Sequence, residues 1–292
     1  MANDLILNRF FTRSTFHSLI AGNTNNLYRA TIQHCNINSD GKSNQSVIHE
    51  IYSYLALYYR NEYYYKNTLL NTLLLGRHKP TTTTALTEIP IGTAKADFVL
   101  VNGKAVVYEI KTELDNLDRL EHQINEYYKA FRYVVVVTYP ENYETVKNFL
   151  SNPCVGIYVI TRKGTISKKQ VREPIEYVDL LDKSTIFPIM RKNEFEQSIQ
   201  RGGYELPVTS SFKYYRACNQ LFNEIYTNKQ AQHQLEIALK SRMKVNVTMF
   251  RTIPYELRFI AYFSELSQDD YTSATTFLET NNKEENVCTF LY

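Results

Sequence analysis

The sequence predicts an α/β fold, a mixed central sheet flanked by helices with a helical C-terminal region after it. Three observations predict this class. Short apolar runs, alternating or continuous, recur between residues 86 and 160 as strands do, and Asn102-Gly103 between two of them is a hairpin turn signal. Segments of helical period precede and separate those runs. Beyond Pro174 the pattern becomes mostly helical.

Taken in order, residues 1–45 read as one or two short helices ending in a polar Asn/Ser/Gly-rich loop from Asn36 to Gln45. From Ser46 to about Lys66, Val47, Ile48, Ile51, Leu55, Tyr58 and Tyr59 recur near the helical period, and Ser46 is suited to cap that helix. A Thr-rich stretch leads to strands at 86–91, 96–101 and 104–111. Leu117, Leu120, Ile124, Tyr127 and Phe131 make an apolar stripe on a helix from about Asp115 to Phe131, where Asp115 and Asp118 suit a capping arrangement. Tyr133–Thr138 is a continuous apolar run, as a strand buried on both faces requires. A helix over Asn142–Leu150 and a strand over Val155–Ile160 follow, then helices near 211–227, 229–243 and 254–266, the last opening on Pro254. The domain plan is therefore an N-terminal helical segment (1–45), a sheet-containing core (46–173) and a helical region (174–292).

The chain of 292 residues is long enough for one large core or a core with a satellite, and 43% hydrophobic with 22% charged residues excludes wholesale disorder. Four scattered cysteines, at 35, 154, 218 and 288, show neither a metal knuckle nor a disulfide framework. A reducing cytoplasm is the expected location. No apolar run approaches the roughly 20 residues of a membrane span, so no membrane partner is expected. The 24 tyrosines read first as core and helix-surface residues and second as base-stacking platforms. A net charge of +3 is too small to mark a nucleic-acid binder, and any basic footprint must be local. Residues 161–172 carry Arg162, Lys163, Lys168, Lys169 and Arg172 with no acid, which suits a solvated hairpin tip and phosphate contact equally.

The chemistry concentrates in Asp97, Glu109 and Lys111. Side chains alternate along a strand, so Glu109 and Lys111 share a face. Whether Asp97 joins them depends on the turn at Gly103. A two-residue loop would pair Val101 with Lys104 and set Asp97 opposite Tyr108, on the wrong face; a three-residue loop would pair Leu100 with Lys104 and set it opposite Val107, on the right one. Convergence therefore predicts the second register or a local bend at Asp97. Carboxylates of Asp97 and Glu109, with the carbonyl of Ile110, would suit Mg²⁺ or Mn²⁺. Lys111 would orient or help deprotonate an attacking water and stabilise charge on a phosphate.

With Asp97, Glu109-Ile110-Lys111 and the helix–three strands–helix–strand order over about residues 46–160, the chain resembles the PD-(D/E)XK, or restriction-endonuclease-like, nuclease superfamily. Ala96 stands where the eponymous proline would be. Gln123 and Tyr127 form a Q-x-x-x-Y resembling that of RecB-type nucleases, although a surface amide and a core tyrosine are the plain alternative. Glu50 lies on the first long helix, where many members supply a further metal-binding acid; a solvated helix residue reads as well. Glu88 could approach the site from the first strand or be an exposed strand end. His49-Glu50-Ile51-Tyr52-Ser53 fails the H-E-x-x-H zinc pattern, and His49 reads as structural.

The resemblance implies a restriction-endonuclease-like core and a Mg²⁺- or Mn²⁺-dependent nuclease acting on nucleic acid, DNA favoured over RNA. A two-fold homodimer would serve two cuts on a duplex. The alternatives are a catalytically inactive module of the same fold that binds nucleic acid or a protein, and a helical adaptor whose activity lies in residues 175–292.

Overall fold

In the computed structural model, which describes residues 4–23, 26–242 and 245–282, the chain opens with α1 (Leu5–Phe10), α2 (Arg13–Ile20), α3 (Asn26–His34), α4 (Asn44–Tyr58) and α5 (Glu62–Leu69). Wider π-helical turns over Leu70–Arg77 lead to β1 (Thr84–Ile91), β2 (Ala94–Asn102) and β3 (Lys104–Ile110). Then come α6 (Leu120–Tyr128), β4 (Tyr133–Thr138), α7 (Tyr143–Phe149), β5 (Gly156–Ile160) and β6 (Ile166–Arg172). The chain continues through α8 (Lys183–Ile186), α9 (Lys192–Arg201), α10 (Ser211–Ile225) and α11 (Asn228–Lys240), and then α12 (Val247–Phe250), α13 (Arg258–Phe263) and α14 (Gln268–Glu279).

These elements form two compact units. One comprises Met1–Asn71 with Val245–Tyr292, the other Thr72–Lys244. The expected plan of 1–45, 46–173 and 174–292 differs from this division, since the last helices join the first ones. In that helical unit Asn44 N donates to Thr280 O at 2.9 Å, and Phe11 stacks on Tyr63 with ring centroids 4.6 Å apart. Tyr63, Tyr64 and Tyr65 are all buried, so this tyrosine cluster is core.

The second unit is built on a mixed six-stranded sheet, β1-β2-β3-β4-β5-β6. β3, β4 and β5 run parallel through the crossover helices α6 and α7, and the remaining neighbours are antiparallel. On one face Val99, Val107, Val134, Val136 and Ile157 pack with Leu120, Ile124, Tyr127 and Phe131 of α6, Val146 of α7, and Ile186, Phe222, Leu235 and Leu239 from the later helices. The four consecutive valines of β4 are completely buried, as a central parallel strand demands.

The hairpin adopts neither anticipated register. Asn102 pairs with Lys104, leaving Gly103 alone between them at φ +73°, and the ladder runs Val101 with Ala105 to Phe98 with Tyr108. Continued one step, it sets Asp97 across from Glu109. The face is the one the chemistry requires, reached through a tighter turn that glycine permits without steric cost.

Local hydrogen bonding explains the other differences. Ser43, rather than Ser46, caps α4, its side chain accepting from Ser46 N at 3.3 Å. The expected single helix over 46–66 breaks at Tyr59-Arg60-Asn61, where Asn61 caps α5 by accepting from Tyr64 N. α6 begins at Leu120 instead of Asp115 because the Asp115 carboxylate accepts from both the backbone N–H and the hydroxyl of Thr112, closing a turn that competes with helix. Pro254 sits at the N-cap of a 3₁₀ turn (Tyr255–Leu257) that precedes α13, outside the first helical turn.

Candidate active site

Glu109 lies near the end of the central strand β3 and Lys111 just beyond it, and α6 brings Gln123 and Tyr127 to that end. Lys111 Nζ lies 2.9 Å from Glu109 Oε1 and donates to Gln123 Oε1, also at 2.9 Å. Tyr127 Oη donates to Glu109 Oε2 at 2.6 Å and lies 2.9 Å from the Lys95 carbonyl. The four side chains thus form one network. Gln123 and Tyr127, four residues apart, share a helix edge, and that spacing lets one element clamp both the acid and the base of the pair.

The network is dry at its centre. Glu109 retains 1% of its exposure, Lys111 8% and Tyr127 none. Burial pushes the Glu109 carboxyl above its ordinary range, against the pull of Lys111 and of hydrogen bonds from Tyr127, Lys111 and Gln123. Burial, reinforced by Glu109, likewise drives the Tyr127 phenol well upward, so it remains a donor. The main chain of Lys111 is anchored at both ends, its N–H to Val137 O at 2.8 Å and its carbonyl to Thr138 Oγ1 at 3.0 Å.

Asp97 is half-buried and accepts from Ile110 N through Oδ2 at 2.8 Å. This side-chain bond continues the β2–β3 pairing where the backbone ladder stops, and it fastens the first acid beside the second. The adjoining strand is distorted at the same level. Glu88 takes φ +58°, a left-handed conformation costly for a residue with a Cβ, and Thr87 Oγ1 donates to Asp97 O at 2.7 Å. Glu88 is exposed, pairs with Lys95, and brings a carboxylate oxygen within 4.8 Å of one on Asp97. Glu88 is therefore exposed beside Asp97, but it lies inside β1 and not at a strand end.

The donors present suit a hard divalent cation. Glu109 keeps a lone pair beyond the hydrogen bonds it accepts, Asp97 presents carboxylate oxygens from the facing strand, and a nearby cation would stabilise the charge that burial disfavours on Glu109. Ile110 offers its carbonyl from the same strand end. Glu50 lies in the helical unit, on α4, where Lys42 Nζ donates to its carboxylate at 2.7 Å. His49 Nδ1 lies 2.7 Å from Glu256, as a structural histidine would.

Sequence reasoning missed Glu126, a buried acid on the same helix as Gln123 and Tyr127. Its carboxylate accepts from Thr93 N at 3.0 Å and pairs with Lys129, tying the β1–β2 turn to the helix that carries Gln123 and Tyr127. The available signal was Gly92-Thr93, a turn whose glycine lies at φ +55° directly against that carboxylate.

The family model of bacteriophage P4 protein cII matches residues 56–256, more than half of the chain. The chain belongs to this family. The match takes in the whole sheet unit, including all four members of the buried network. No curated protein and no solved structure matches the chain. Among the described residues of this P4 cII family member, no helix is long and apolar enough to cross a membrane.

Proposed function

We propose that this P4 cII family protein is a metal-dependent nuclease, with a restriction-endonuclease-like core, that hydrolyses phosphodiester bonds, DNA favoured over RNA. The observation that carries the reading is the convergence of Glu109, Lys111, Gln123 and Tyr127 at one strand end with Asp97 facing them. Polar residues drawn from a strand and a separate helix would have no reason to share a dry hydrogen-bonded network on chance spacing of common residue types.

Asp97 and Glu109, with the Ile110 carbonyl, would hold Mg²⁺ or Mn²⁺. When bound, the cation supplies an acidified water and neutralises charge on the phosphate. Lys111 has three N–H donors, of which Glu109 and Gln123 take two. The third is available to the attacking water or to the oxygens that gain charge as it adds in line to phosphorus and the leaving oxygen departs. Gln123 and Tyr127 are positioning residues. Gln123 aims the ammonium, and Tyr127 favours the charged form of Glu109 by donating to it.

Grip on the backbone is assigned to the β5–β6 hairpin. Lys163, Lys168 and Lys169 are exposed there, while Arg162 pairs with Glu141 at 2.7 Å and Arg172 Nε donates to Val155 O. Phosphate contacts of this kind position a substrate without reading sequence.

The test is cleavage of supercoiled plasmid and of single-stranded DNA with Mg²⁺, Mn²⁺ or EDTA, for wild type and Lys111→Ala. The reading expects metal-dependent cleavage that the substitution abolishes. Cleavage that survives Lys111→Ala rejects the site, and no cleavage of either substrate favours a non-catalytic binding module.

A further inference from the structure

The sheet face opposite the buried network carries a polar cavity of about 120 Å³ within the same unit. Alternation along β3 creates it. Glu109 points to one face, so Tyr108 points to the other, into a space floored by Leu73, Leu100 and Val106. Arg77, His78 and Lys104 bring basic side chains to its wall, and Glu173 is the acid among the lining residues.

The internal pairing leaves donors over. Tyr158 Oη donates to Glu173 at 2.6 Å, which satisfies part of that carboxylate, and the Arg77 guanidinium stands 5.9 Å from the centre of the Tyr158 ring. Among the described residues Arg77 makes no ion pair. His78 Nδ1 and Asn102 Nδ2 hold each other at 2.7 Å across the rim. Tyr108 keeps 4% of its exposure, and among the described residues its hydroxyl has no hydrogen-bond partner. Burial, with Tyr158 beside it, pushes that phenol well above its ordinary range, so it keeps its proton and can donate. At the cavity wall, this hydroxyl is left for a ligand or water to complete.

We infer that this cavity binds a small phosphate monoester, with Arg77 and the Tyr108 hydroxyl donating to the phosphate. A guanidinium outside any ion pair and a protonated phenol, converging on an apolar floor, suit an anion with several acceptor oxygens, and Lys104 adds charge of the same sign. Glu173 faces the remainder of the ligand, where it selects for a group that donates, such as a sugar hydroxyl or an exocyclic amine. The site lies on the far side of β3 from Lys111, so the inference is independent of the nuclease reading.

The experiment is calorimetric titration of the full chain with inorganic phosphate and with adenosine 5′-monophosphate, for wild type, Arg77→Ala and Tyr108→Phe. Saturable one-to-one binding is expected in wild type, tighter for the monoester than for inorganic phosphate. Arg77→Ala should weaken it at least tenfold and Tyr108→Phe severalfold. Arg77 is exposed, so its variant remains a test if the buried Tyr108 variant does not fold. Absence of binding by wild type to both probes, or equal binding by Arg77→Ala, would overturn the assignment.

Discussion

Replacing Tyr127 with Phe removes one hydroxyl and keeps the ring that packs in the core. The missing group donates to Glu109 Oε2 at 2.6 Å inside the buried network. A hydrogen bond to a charged acceptor contributes roughly 1.5–3 kcal/mol. Most of that favours the ionised form of Glu109, so its removal raises a carboxyl that burial already holds high. At about 1.36 kcal/mol per pKa unit, the shift is about one to two units upward. Cation binding and catalysis need Glu109 charged, so the acid limb of the cleavage rate, measured at subsaturating Mg²⁺, should move to higher pH by that amount. Activity should recover at alkaline pH. An acid limb that stays in place in a variant with wild-type circular dichroism would refute the coupling between Tyr127 and Glu109.

Other consequences can be measured directly. Arg242→Met should cost about 3–5 kcal/mol in urea denaturation, because it strands Glu194, which Arg242 contacts through two nitrogens at 2.7 Å in a buried pair. Burial opposes ionisation of Glu194, but Arg242 and the Arg191 N–H outweigh it and hold the carboxyl below its ordinary range. The stability it contributes is therefore present above the usual glutamate value of about 4.3 and disappears as pH falls through the folded value, so the gap between wild type and variant should close on acidification. Gly103→Ala should cost only the left-handed backbone penalty, about 1–2 kcal/mol, since nothing lies within 4 Å of an added Cβ. Gly92→Ala should cost more by thermal denaturation and also slow cleavage, because its Cβ would fall 1.9 Å from Glu126 Oε2 and displace the tie to α6. Changing Lys163, Lys168 and Lys169 together to Glu should weaken DNA binding at all sequences and flatten its salt dependence, by about 0.9 in log–log slope for each phosphate no longer neutralised.

How much could be read in advance depended on whether the deciding interaction was local in sequence. β4 was legible to the residue, because four consecutive valines leave no alternative to a strand buried on both faces. The pairing of β2 with β3 was legible but its register was not. Gly103 accepts turns of several lengths, and the one adopted leaves a single residue between the paired Asn102 and Lys104. Gln123 and Tyr127 could be placed on one helix edge by spacing, whereas their bonds to Lys111 and Glu109 depend on how α6 crosses the sheet. β6 was missed because its Lys-rich sequence lacks apolar alternation, which an edge strand can forgo. The joining of the first and last helices in one unit was also out of reach. Nothing in Asn44 announces that it will meet Thr280.

The central claim is that Asp97 and Glu109 hold a divalent cation beside Lys111. Anomalous diffraction from crystals soaked in Mn²⁺ tests it most directly. The account predicts a single strong peak between the carboxylates of Asp97 and Glu109, abolished in Asp97→Ala. Mn²⁺ bound elsewhere with the space between those carboxylates empty, or a peak unchanged in Asp97→Ala, would contradict it.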